Sequence, residues 1–118
     1  MKLSTVLASK DATISTITRE VGIRDAVALL ARRNIGALIV LDDDQLPCGI
    51  LSERDIVRES ARRDDVLARR TGEIMTSDVV CGSPEDDVEA VLQTMTVHHF
   101  RHLPIVDDGH LVGIVTIG

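Results

Sequence analysis

The chain carries one pattern twice. Ile35-Gly36-Ala37-Leu38-Ile39-Val40-Leu41-Asp42-Asp43 runs on to Gly49-Ile50-Leu51-Ser52, and Phe100-Arg101-His102-Leu103-Pro104-Ile105-Val106-Asp107-Asp108 runs on to Gly113-Ile114-Val115-Thr116. An internal repeat limits the fold before any residue has a role, because each copy must bury its apolar face against a neighbour. Two copies packed face to face would leave a cleft, and a ligand is expected there. A shift of 65 (88 − 23) aligns Ile23 with Val88, Leu30 with Met95, Leu38 with Leu103 and Asp42 with Asp107. From Gly49 and Gly113 onward the shift is 64 (113 − 49). One extra residue is therefore expected in Pro47-Cys48. Proline gives no N–H to a ladder, so a bulge or sheet edge is expected at that point.

With 118 residues, each copy has a marginal size for a core of its own, so one shared core is expected. Hydrophobic residues make up 44% of the chain, a globular composition. No apolar run approaches the ~20 residues of a membrane span. Met1-Lys2-Leu3-Ser4 is not followed by an apolar signal core, so a cytoplasmic location is expected. Cys48 and Cys81 are then two buried, reduced thiols. The net charge is -6, with no Trp, no Tyr and one Phe. Nucleic acid is excluded as a partner, since it calls for a basic face and aromatic platforms. The pairs Arg32-Arg33, Arg62-Arg63 and Arg69-Arg70 read as solvated helix faces rather than a phosphate track.

Each copy reads as a helix followed by two strands. Ile23, Ala26, Val27, Leu30 and Ala31 follow helical spacing, as do Val88, Val91, Leu92 and Met95. Strands are predicted at Ala37 to Leu41 and Leu103 to Val106, paired antiparallel with Gly49 to Leu51 and Leu111 to Thr116. Asp108-Gly109 is a strong hairpin signal. Short strands are predicted before each helix, at Ile14 to Ile17 and Val79 to Cys81. The second copy's helix could be capped from Ser83, Asp86 or Asp87. A further helix follows Ser52 in the first copy, with Asp64-Asp65 as its expected end. The expected organisation is a first motif at 5–65, a linker at 66–77 and a second motif at 78–118.

Ser52-Glu53-Arg54-Asp55 sits where a strand turns into a helix. The free N–H groups of such a turn suit phosphate. Ser52 adds a hydroxyl and Arg54 a guanidinium fork. Asp55 would repel phosphate and would accept from the paired hydroxyls of a ribose. The plain alternative is that Ser52 and Asp55 only cap the helix. Arg101-His102, at a strand entrance, either pairs with an internal acid or faces an anionic ligand. His98, His99, His102 and His110 have no Cys or carboxylate at zinc spacing, so no metal is expected. No nucleophile elbow or Gly-rich phosphate loop is present, and the chain is not expected to be an enzyme.

On these stretches, together with Ile74-Met75-Thr76, the chain resembles a pair of CBS motifs, a Bateman module. The likeness covers about residues 5 to 118 and is closest to small stand-alone bacterial CBS-pair proteins. It implies an α/β (α+β) fold in which each motif is a small sheet with two helices, the motifs packing in pseudo-twofold symmetry. It implies a regulatory signal-transduction module, forming a homodimer and acting on an effector protein. The implied ligands are AMP, ADP, ATP, NAD(H) or S-adenosylmethionine, none of them a required cofactor. In the family the Asp of a Ser/Thr-x-x-Asp motif binds ribose and the Ser or Thr lies near phosphate. Those positions are Asp55, Ser52 and Thr116, and Arg101 and His102 match a basic pair that contacts phosphate in some members. Ile17, Val80 and Pro104 are the candidates for the adenine pocket. The second motif reaches Thr116-Ile117-Gly118 and stops before its final helix and its acid, so a continuation past Gly118 is expected. The other reading is a dimerisation or protein-interaction module with no bound nucleotide.

Overall fold

The computed structural model describes residues 1–9 and 14–117. In chain order these form α1 (Leu3–Ser9), β1 (Thr16–Thr18), α2 (Ile23–Arg33), β2 (Ala37–Leu41) and β3 (Pro47–Ser52). Then come α3 (Glu53–Ser60), a single 3-10 turn (Val66–Ala68), α4 (Thr71–Ile74), α5 (Val88–His98), β4 (His102–Asp107) and β5 (His110–Thr116). They gather into two compact units, Ser15–Val79 on one hand and Met1–Ile14 with Val80–Gly118 on the other. Buried apolar residues form one cluster in each unit.

In the first unit β1 runs parallel to β2, and β2 antiparallel to β3. In the second, β4 and β5 form an antiparallel pair. The pairings repeat residue for residue: Ala37 faces Ser52 as His102 faces Thr116, and Val40 faces Gly49 as Ile105 faces Gly113. Both ladders slip at the same place, between Val40 and Leu41 and between Ile105 and Val106. Cys48 and Val112 are the residues skipped. The bulge expected at Pro47-Cys48 is present, but it belongs to both copies. The extra residue of the first copy lies instead in the turn. That turn is closed by Asp42 Oδ1, which accepts from the N–H groups of Asp44 (2.9 Å) and Leu46 (3.0 Å). The second copy turns on Asp108 and Gly109 alone, with φ +50° and +76°, the left-handed pair that a two-residue hairpin requires.

α2 buries Ile23, Ala26 and Leu30, and α5 buries Val91 and Met95, on the expected stripes. Ala31 and Leu92 are exposed, so each stripe is narrower than its spacing suggests. Both helices end on a left-handed residue, Asn34 and His99, again 65 apart (99 − 34). Asp87 is the N-cap of α5, accepting from the Ala90 N–H. β1 begins two residues later than expected, and Ile14 lies outside it. Val79 to Cys81 is not a strand. In its place is an isolated bridge from Gly82 to Ile105, at the position matching Ile17 and Val40. α3 ends at Ser60, before Asp64-Asp65.

The repeat extends further toward the N-terminus than the sequence shows. Thr71 N donates to Val21 O (2.8 Å) and Gly72 N to Arg19 O (2.9 Å). Leu3 N donates to Asp86 O (2.9 Å) and Ser4 N to Pro84 O (2.9 Å) in the same way. The shift of these lead-in segments is 68 (71 − 3), against 65 for the parts they bind. Each lead-in packs on a hairpin glycine: a Cβ at Gly49 would overlap the Met75 sulfur, and one at Gly113 would overlap Leu7. Residues 66–77, expected as a linker, therefore lie within the first unit, with Val66, Thr71, Ile74 and Met75 buried. Leu3 and Leu7, before the first repeat, pack in the second unit.

Candidate functional site

The strand-to-helix turn at Ser52 is built by a reciprocal cap. Ser52 Oγ accepts from the Asp55 N–H (3.2 Å) and donates to Asp55 Oδ2 (2.9 Å), which also accepts from the Ser52 N–H (3.0 Å). The capping alternative is thus physically realised. It leaves more to explain, because Asp55 is only 7% exposed. A carboxylate that far from water needs partners for both oxygens. The second oxygen, Oδ1, accepts from Thr76 Oγ1 (3.1 Å), and the Arg58 guanidinium stands 3.8 Å away. Arg54, the other candidate on this turn, is exposed. Gly36, on the neighbouring strand entrance, is hemmed by Glu53, whose Oε1 would lie 3.2 Å from a Cβ there.

The equivalent end of the other hairpin gathers Arg101, His102 and Thr116. His102 and Thr116 are register partners. Arg101 and Ile117 are tied twice: Ile117 N donates to Arg101 O (3.0 Å), and Arg101 Nε donates to Ile117 O (3.2 Å). Thr116 and Arg101 are exposed and His102 is half-buried. The two polar sets therefore occupy matching places with unlike chemistry: a buried carboxylate in one unit, a cation with a hydroxyl in the other.

Ile17 is buried in the apolar cluster of its own unit, Pro104 is fully buried, and Val80 is exposed. Both cysteines were expected to be buried; Cys48 is half-buried and Cys81 exposed. Sequence reasoning missed Thr76 as a partner of Asp55, although it stands in the quoted Ile74-Met75-Thr76 stretch. It also missed the bond from Arg33 Nη1 to the buried Ser15 Oγ (2.6 Å). No sequence signal pointed to Thr76, because the residue matching it at the lead-in's shift of 68 (76 − 68 = 8) is Ala8, which has no hydroxyl. No helix is long and apolar enough to cross a membrane among the described residues.

The CBS domain family model matches residues 7–62 and again 72–118. The CBS domain-containing protein YhcV of Bacillus subtilis is 32% identical over 116 residues, which span 98% of this chain and 82% of that protein. Other curated relatives are longer, the chain spanning 31% of one and 36% of another. Among solved structures, the CBS-domain protein ATU1752 of Agrobacterium tumefaciens superposes with TM-score 0.92 at 31% identity, covering 100% of this chain and 94% of that one. The CBS domain protein PAE2072 of Pyrobaculum aerophilum, complexed with AMP, gives 0.86 at 26%, covering 98% and 87%. The CBS pair of MJ0100, complexed with 5′-methylthioadenosine and S-adenosyl-L-methionine, gives 0.82 at 25%, covering 98% and 89%.

Proposed function

We propose that this chain, which belongs to the CBS domain family, senses an adenosyl ligand and reports it through its conformation or its assembly as a homodimer. The observation that carries the reading is Asp55. It is a buried carboxylate whose two oxygens are oriented by a helix cap and by Thr76, at the turn where a family member could place a ribose. Two similar structures were solved with adenosyl compounds, AMP in one and S-adenosyl-L-methionine in the other, which supports the ligand class. In this reading Asp55 accepts from the ribose hydroxyls. Ser52 and Arg54 serve the phosphates, and Arg101, His102 and Thr116 are the anion-facing groups of the second unit. Ile17, Val80 and Pro104 keep their proposed place against adenine. The role is regulatory and no residue is given a catalytic step. Two free thiols accord with a reducing cytoplasm.

Thermal melts with millimolar AMP, ADP, ATP, NADH and S-adenosylmethionine test this. A ligand at 100 times its dissociation constant adds about 2.7 kcal/mol of stability. A clear rise in Tm with at least one of them is expected, and Asp55→Ala should abolish it. Absence of any rise would end the adenosyl reading. A full rise in the Asp55→Ala protein would remove Asp55 from it.

A further inference from the structure

We infer that Thr76 is a positioning residue for the ligand site, holding the Asp55 carboxylate in its accepting orientation. The inference rests on the reading of Asp55 as the ribose acceptor. Ser52 alone secures only Oδ2, and any capped helix would have that much. Oδ1 is secured from a different element, by Thr76 Oγ1 at 3.1 Å, from a residue 21 positions away. Thr76 is itself fixed. Its N–H donates to Ile50 O (2.9 Å) and its carbonyl accepts from Ile50 N–H (2.9 Å), which staples the lead-in to β3. Met75, just before it, is 8% exposed and sits over Gly49, where no side chain could fit without displacing its sulfur. Threonine's branched Cβ also restricts its rotamer. Thr76 is exposed, and its backbone bonds to Ile50 are what aim its hydroxyl at Asp55. A carboxylate oxygen can accept more than one hydrogen bond, so Oδ1 keeps capacity for a ligand hydroxyl while Thr76 orients it. Preorganisation of this kind raises affinity by lowering the ordering cost of binding.

Calorimetric titration of the whole chain tests it, using AMP and 2′,3′-dideoxy-AMP, the latter read by displacement at millimolar concentration. Thr76→Ala should bind AMP about tenfold more weakly, the scale of the ordering cost of one freed side chain. Thr76→Ser, which keeps the hydroxyl, should restore most of the affinity. The dideoxy compound should bind wild type and Thr76→Ala equally, since it offers Asp55 no hydroxyl. A Thr76→Ala protein that binds AMP like wild type overturns the inference. So does one that weakens both ligands alike, for Thr76 is then merely structural. If Thr76→Ala does not fold, Thr76→Val, close to it in shape, takes its place with the same expected outcomes. If wild type binds none of AMP, ADP, ATP, NADH and S-adenosylmethionine, the adenosyl reading and this inference end together. Wild type binding with Asp55→Ala silent and Thr76→Ala normal would end this inference alone.

Discussion

The two lead-in segments, Leu3 to Leu7 and Thr71 to Met75, do the same structural task with different chemistry. Both hydrogen-bond the approach to a helix, and both press a side chain onto a hairpin glycine. At their matching first positions stand Leu3, 1% exposed, and Thr71, 0% exposed. Leu3 anchors by apolar burial among Val91, Met95, Leu103 and Ile105. Thr71 anchors by a hydroxyl donated to Val21 O (2.7 Å). The same backbone path can thus be held by a core contact or by a hydrogen bond, provided the buried polar group finds a partner. The clusters differ too. Among the described residues ten buried side chains build the cluster of the first unit and five that of the second, so each anchor in the second weighs more.

The contrast is sharpest under mutation. Leu3→Ala should cost about 2–5 kcal/mol in urea denaturation, the range for a fully buried leucine. Thr71→Val should cost only about 1 kcal/mol, because Val21 O keeps the Thr71 N–H as donor. Equal costs for the two would break the comparison. Next come Gly49→Ala and Gly113→Ala, each expected to lose about 1–3 kcal/mol through overpacking against Met75 and Leu7. If only one of the pair is sensitive, the lead-ins are not equivalent supports.

The smallest expected effect is on acid stability. The Arg69 guanidinium, 2.9 Å away, holds the Asp65 carboxyl below its ordinary value. The Arg70 N–H, and then Arg69, do the same for Glu73. In the second unit the Ala90 N–H, and then the N-terminal ammonium, lower Asp87. A folded-state value below the unfolded one means stability that is whole above the usual carboxylate range of about 3.9–4.3 and is lost as pH falls through the folded value. Urea midpoints measured from pH 7 down to 3 should therefore decline. Asp87→Asn, which keeps a capping oxygen without the charge, should flatten part of that decline. An unchanged profile would show that Asp87 contributes nothing through its charge.

Much of the fold was legible because it is written in local periods. β2 was expected at Ala37 to Leu41 and spans those residues; α2 and α5 follow their apolar stripes, and Asp108-Gly109 makes its turn. α1 was not legible: the repeat changes its shift from 68 to 65 between the lead-in and the helix, so an alignment anchored at Ile23 misses it. The strand expected at Val79 to Cys81 fails for another reason. Its apolar residues resemble a buried strand, yet the ladder there closes through Gly82 alone. At the candidate site, Ser52 and Asp55 could be paired on sequence because a capping box spans three residues. Thr76 could not, because its bond to Asp55 joins distant parts of the chain.

The sequence by itself determined that the chain is a doubled α/β unit, where its hairpins turn, and which end of each hairpin carries polar side chains. Such features follow from spacings of two to four residues, within the reach of backbone and side-chain periodicity. Only the tertiary structure decided that each lead-in packs on the hairpin of the other copy. It likewise decided that Asp55 is buried, with both its oxygens hydrogen-bonded. Pairings such as Leu3 with Asp86 and Thr76 with Asp55 depend on how the chain travels between them, and no local period records that path.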